Sequence, residues 1–75
     1  MIKLKDGIDK NRLRNFGFKT YNYNDDIVIK EIGALSIYID LKTRNITGIG
    51  FYPVGDRIVL DNIKGLVSKR LVDID

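Results

Sequence analysis

The stretch Leu35-Ser36-Ile37-Tyr38-Ile39-Asp40-Leu41 alternates without a break. Leu35, Ile37, Ile39 and Leu41 fall on one side; Ser36, Tyr38 and Asp40 fall on the other. A period of two belongs to a β-strand with one buried face. A sheet with one apolar face needs a second layer to cover it, so this strand already implies a two-layer domain. The residues that follow, through Lys42-Thr43-Arg44-Asn45 into Ile46–Tyr52, read as the loop and return arm of a β-hairpin.

Upstream, residues 19–24 are rich in Tyr and Thr, and 27–32 are β-branched; both read as strands. Asp25-Asp26 and Gly33-Ala34 are the expected two-residue turns. Residues 19–52 then form a four-stranded antiparallel meander. With those turns, Tyr23 pairs with Val28, Tyr21 with Lys30, Ile32 with Leu35, and Lys30 with Ile37. The core face collects Tyr21, Tyr23, Val28, Ile32, Leu35, Ile37 and Ile39. The opposite face collects Asn22, Ile27, Ile29, Glu31, Ser36, Tyr38 and Asp40. A one-residue slip would exchange the faces of a strand, so this assignment depends on the turns.

The 41–45 loop leaves two registers open. Asn45 suits a left-handed loop position. With a bulge, Ile49 and Phe51 join the core face, and Tyr52 points outward. Without one, Gly48 and Gly50 lie under the covering helix, and Ile49 and Phe51 enlarge the outer face. Buried apolar area, at about 25 cal/mol per Å2, favours the bulge. Pro53 has no N–H to pair and is expected to end the strand.

Two helices flank the meander. Asp9 is a candidate N-cap for a helix over 10–16. Ile8 and Leu13 occupy the positions of a hydrophobic staple. Gly17 suits the left-handed residue after the last turn, and Phe18 folds back on the helix. Toward the carboxy end, Val59, Leu60, Ile63, Leu66, Val67 and Leu71 fall within one arc at 100° per residue, which predicts an amphipathic helix over 57–69. Asp56 is a candidate cap for it. The rival reading makes Arg57–Leu60 a fifth strand. Residues 1–5 read as a short edge strand, and 71–75 as a strand or a tail.

The chain of 75 residues fits a single domain, 1–75, and lacks Cys and His. Absence of Cys fits a reducing compartment. The amino end lacks the apolar run of a signal peptide, and no stretch approaches a membrane span. The expectation is a cytoplasmic protein that does not contact membrane. The net charge of +3 is uneven. Residues 1–19 carry six cationic side chains against two carboxylates, and residues 20–63 carry four against six.

Catalysis has little to work with. Without His or Cys, the available groups are Asp, Glu, Lys, Ser and Tyr. Asp25 and Asp26 suit a turn better than an acid–base pair. Gly48-Ile49-Gly50 lies in a strand, with Pro53 where a phosphate-binding loop has its third glycine. No metal-ligand spacing, cofactor motif or small-molecule site is evident. The expectation is a non-enzyme with no cofactor.

Two binding readings are left. Ile27, Ile29 and Tyr38, with Tyr52 if the bulge exists, make the outward sheet face more apolar than solvent requires. Such a patch marks a protein partner or self-association. Alternatively, Lys10, Arg12, Arg14 and Lys19 contact nucleic-acid phosphates. Against this, Asp25, Asp26, Glu31 and Asp40 would repel a backbone.

Leu13-Arg14-Asn15-Phe16-Gly17-Phe18-Lys19, followed by Ile37-Tyr38-Ile39-Asp40-Leu41-Lys42-Thr43-Arg44-Asn45-Ile46, resembles a pattern in small uncharacterised phage and prophage proteins of low-GC bacteria. The resemblance covers under half of the chain. It implies a mobile-element accessory protein; such proteins often bind and block a host factor, anti-CRISPR inhibitors among them. The combined expectation is an α+β domain: a four-stranded antiparallel meander, a short amino-terminal helix, and an amphipathic carboxy-terminal helix packed on one face. Its expected role is a non-catalytic binding module of the inhibitor or adaptor kind, with nucleic-acid binding as the alternative.

Overall fold

Strand β4 (Leu35–Asp40) lies at the centre of the larger sheet and buries the side that its alternation predicts. The computed structural model describes residues 1–74. The other elements are β1 (Ile2–Leu4), α1 (Lys10–Arg14), β2 (Lys19–Tyr21), β3 (Asn24–Ile32), β5 (Ile46–Ile49), β6 (Pro53–Val54), α2 (Asp56–Asp61), α3 (Lys64–Ser68) and β7 (Val72–Ile74). The architecture is α+β. Strands β2 to β6 form one antiparallel meander in sequence order, and β1 pairs with β7 in a second, two-stranded sheet.

The meander has five strands, not four. Pro53 begins β6 opposite Ile49 instead of ending the sheet. At an edge the missing N–H costs no ladder bond, which is why proline is tolerated there. Residues near the two ends also find strand partners, with Ile2 opposite Ile74 and Leu4 opposite Val72. Of the expected strand or tail over 71–75, Asp75 lies outside the described residues. Strand β1 is not a bare edge. The Leu4 N–H donates to the Arg44 carbonyl at 2.7 Å, so β1 is held between β7 and the β4–β5 loop.

The core forms where this arrangement meets the helices. Ile37 and Ile39 of β4 are fully buried, together with Val28 and Ile46 from the neighbouring strands. Leu13, Phe18, Val59, Ile63, Leu66 and Leu71 close over them, with Ile2 and Leu4 from the small sheet.

Helix α1 follows its capping signals. The Asp9 carboxylate accepts from the Arg12 N–H at 3.0 Å. The helix stops two residues short of the expected end. The Phe18 N–H donates to the Leu13 carbonyl across Gly17, whose φ of 91° is left-handed. That closure carries Phe18 into the core.

The carboxy-terminal helix is divided. It breaks between α2 and α3 at Asn62 and Ile63, where Ile63 leaves helical geometry (φ −126°, ψ 36°). The Asn62 side-chain amide donates back to the Ile58 carbonyl at 2.8 Å and closes α2. The rival strand over 57–60 does not form. Gly55, not Asp56, takes the N-cap position; Asp56 sits in the first turn, where its charge suits the helix dipole.

Register departs from expectation at two loops. The Gly33-Ala34 turn forms as expected, with Ile32 opposite Leu35 and Lys30 opposite Ile37. The preceding turn falls instead at Asn22-Tyr23, with Tyr21 opposite Asn24 and Thr20 opposite Val28. Asp25 and Asp26 lie within an irregularity of β3, where the Asn24 side chain accepts from the Asp26 N–H at 2.9 Å. This shift takes Tyr21 and Tyr23 off the core face.

The other departure is in the hairpin. Ile37 faces Gly48 and Ile39 faces Ile46, so the expected bulge is absent. Gly48 lies under α2. A Cβ there would stand 2.6 Å from Val54 Cγ2 and 2.7 Å from Val59 Cγ2. The two valines fill the volume that a side chain at 48 would occupy, and this packing outweighs the area that Ile49 and Phe51 would have buried. Arg44, not Asn45, takes the left-handed loop position (φ 67°).

Gly48→Ala is therefore expected to destabilise the fold by about 1–3 kcal/mol through overpacking. Gly50→Ala should cost far less on steric grounds, since its added methyl would have no neighbour closer than 3.8 Å. Equilibrium urea unfolding of the two variants measures the difference.

Candidate functional site

The pairing that buries Ile37 and Ile39 turns their neighbours to the other face of the sheet, away from the helices. One row across that face runs Lys19, Ile29, Tyr38, Thr47. On one side of it Ile27 stands opposite Asp40; on the other, Glu31, Ser36 and Ile49 follow in line. Ile27, Ile29 and Tyr38 are thus brought together. Ile29 is 7% exposed although it lies outside the helix-covered core cluster.

Aromatic rings extend this face. Tyr21 meets Tyr38 edge to face at 5.7 Å, and Tyr23 meets Tyr21 at 5.4 Å. Beside Tyr38 is a shallow depression of about 350 Å3, bordered by Ile27, Asp40, Thr43, Thr47 and Ile49. Ile49 is half exposed there. Its place follows from the register without a bulge.

The charges around the face are mainly exposed and partly paired. Lys19 meets Glu31 at 3.3 Å, and Lys42 meets Asp26 at 3.3 Å. Asp40 is engaged by the loop: its Oδ1 accepts from the N–H groups of Lys42 (2.9 Å) and Thr43 (3.3 Å). Asp25, Asp26, Glu31 and Asp40 against Lys19 and Lys42 leave the surroundings mildly acidic.

Tyr52 is elsewhere. It follows the exposed Phe51 on the β5–β6 loop, over a depression of about 340 Å3 bordered by Leu35, Pro53, Val54 and Ile58. Phe51 is 95% exposed, contrary to the expectation that it joins the core. The Gly50 N–H bonds the Tyr52 carbonyl at 3.0 Å, which turns the chain before Phe51 can continue the strand. From the sequence, Pro53 reads only as the end of the strand and Gly50 as part of it, so the turn between them is missed.

The cationic candidates separate as well. Lys10, Arg12 and Arg14 lie on α1, whereas Lys19 belongs to the open sheet face and pairs with Glu31. Among the described residues, no three acidic, His or Cys side chains converge as a metal set, and no helix is long and apolar enough to cross a membrane. The chain matches no family model, no curated protein and no solved structure.

The two faces of the sheet should respond differently to truncation. Ile37→Ala is expected to cost about 2–5 kcal/mol. Ile49→Thr, on the adjacent strand but the opposite face, should stay within about 0.5 kcal/mol of the parent protein. Chemical denaturation of both variants checks this.

Proposed function

We propose that the protein is a non-catalytic binding module that acts by covering a partner protein with the open face of its sheet. The observation that carries this reading is the grouping of the half-buried Ile27 and Tyr38 and the exposed Ile49 around the buried Ile29, on a face that the helices leave uncovered. The tyrosines strengthen it. Tyr21 and Tyr38 offer large apolar area with few rotatable bonds and a hydroxyl at the rim, the composition that protein interfaces favour. The mildly acidic surroundings suit a partner with basic side chains around an apolar contact.

The resemblance to phage and prophage proteins supports a specific form of this role: a mobile-element inhibitor or adaptor that occludes a host protein. Occlusion requires only area and complementarity, and a sheet face supplies both without a catalytic group. Phe51 and Tyr52 are a separate apolar surface, available to a large partner as a second contact.

Affinity capture from the native host, followed by mass spectrometry, identifies the partner. Ile27→Asp and Tyr38→Ala should each weaken that complex at least about tenfold, the effect of losing more than about 1.4 kcal/mol of binding. Circular dichroism should show an unchanged fold. Partner affinity unaffected by both substitutions in folded protein would remove the open face from the account.

A further inference from the structure

Folding brings together two cationic segments that lie far apart in sequence. The first is 5–16, which contains α1; the second is 64–70, which contains α3. Gly65 packs so closely on the Phe16 ring that an added Cβ would stand 3.1 Å from it. The Lys5 N–H donates to the Leu71 carbonyl at 2.8 Å and ties the other ends together. Leu13 and Leu66 are buried in the same cluster beneath.

What this junction shows to solvent is cationic. Lys5, Arg12, Arg14, Lys64, Lys69 and Arg70 are all exposed. With the half-buried Lys10, the two segments hold seven cations against the carboxylates of Asp6 and Asp9, a net +5. The whole chain carries +3, so the remaining residues sum to −2. None of the seven cations is in an ion pair among the described residues. Asp9 is occupied in capping α1. Charge of one sign gathered without pairing favours a polyanion and raises its local concentration.

The accompanying side chains narrow the polyanion. A lipid surface calls for apolar or aromatic residues beside the cations. A single strand calls for aromatic platforms on which bases stack. A protein interface is usually depleted of Lys and anchored by aromatics. On these two segments the one exposed large apolar side chain is Val67, at 37%, and Phe16 is half-buried against Gly65. The exposed aromatics, Tyr23, Phe51 and Tyr52, belong to other parts of the molecule. We infer that the α1–α3 junction is a second binding surface, which holds the phosphate backbone of a nucleic-acid duplex without reading its bases. This surface is independent of the open sheet face and includes Lys64, Lys69 and Arg70 in place of Lys19.

Fluorescence anisotropy with a labelled DNA duplex tests the inference, with an RNA duplex, a single strand and a poly-glutamate peptide as comparison probes. Log affinity for either duplex should fall linearly with log salt between about 50 and 200 mM, by about 0.9 for each phosphate contacted. Arg14→Gln with Lys69→Gln removes two exposed cations, one from each segment, and should make that slope shallower by about 1.8. Lys19→Gln with Lys42→Gln, two cations outside the junction that pair with Glu31 and Asp26, should leave it unchanged. Circular dichroism on each variant confirms the fold. No duplex binding at about 50 mM salt, an unchanged slope in the Arg14/Lys69 variant, or equal or tighter binding of the single strand or of poly-glutamate would each overturn the assignment.

Discussion

Val59 approaches the backbone of β5 at a position with no side chain, and much of the structure depends on that approach. Gly48 lets Val59 and Val54 come close enough to exclude even a methyl group. This seats α2 directly on the sheet beside Ile37. It also sets the parity of β5. With Gly48 turned toward the helix, Ile46 is buried two residues earlier and Ile49 faces outward one residue later. A side chain at 48 would have to displace α2 or turn the strand over, and turning it over would remove Ile49 from the open face.

The consequence is a molecule with two unlike surfaces. The helices and the small β1–β7 sheet cover one face of the meander, and the apolar interior lies between them. The uncovered face is apolar at its centre, carries tyrosines on one flank and is mildly acidic around them. Beyond the covering layer, the α1–α3 junction is cationic and has little exposed apolar area. Dispersion and apolar burial act only over contact distances, whereas charge acts over about a Debye length. One surface is therefore suited to a shape-matched protein, and the other to a polyanion of loose geometry.

Much of this was legible in local patterns. The alternation of Leu35 to Leu41 identified a strand and its buried side. Asp9 and Gly17 marked the two ends of α1, because each serves a specific backbone need within a few residues. Ile27, Ile29 and Tyr38 were recognisable as outward-facing because the Gly33-Ala34 turn fixed their register. What was not legible depended on contacts between distant residues. The clash that Gly48 avoids involves Val54 and Val59. Area counting on β5 alone therefore chose the wrong face for Ile49. The carboxylates at 25 and 26 resembled a turn, yet the chain turned earlier at Asn22-Tyr23, and this reversed the expected face of Tyr21. The apolar arc of 57–69 gave no sign of the break at Asn62, whose side-chain amide closes α2 by donating to the Ile58 carbonyl. Lys19 counted with the cations of α1 until strand pairing set it beside Glu31.

One face of the meander is sealed by the helices and the other is open, with β5 in the register that Gly48 dictates. Solvent paramagnetic relaxation on isoleucine δ1-methyl-labelled protein tests this most directly. A soluble paramagnetic agent should broaden the Ile49 methyl strongly and leave the methyls of Ile37 and Ile39 sharp, although Ile49 and Ile37 lie on adjacent strands. Equal protection of Ile49 and Ile37 would instead place both residues on the covered face, and β5 in the opposite register.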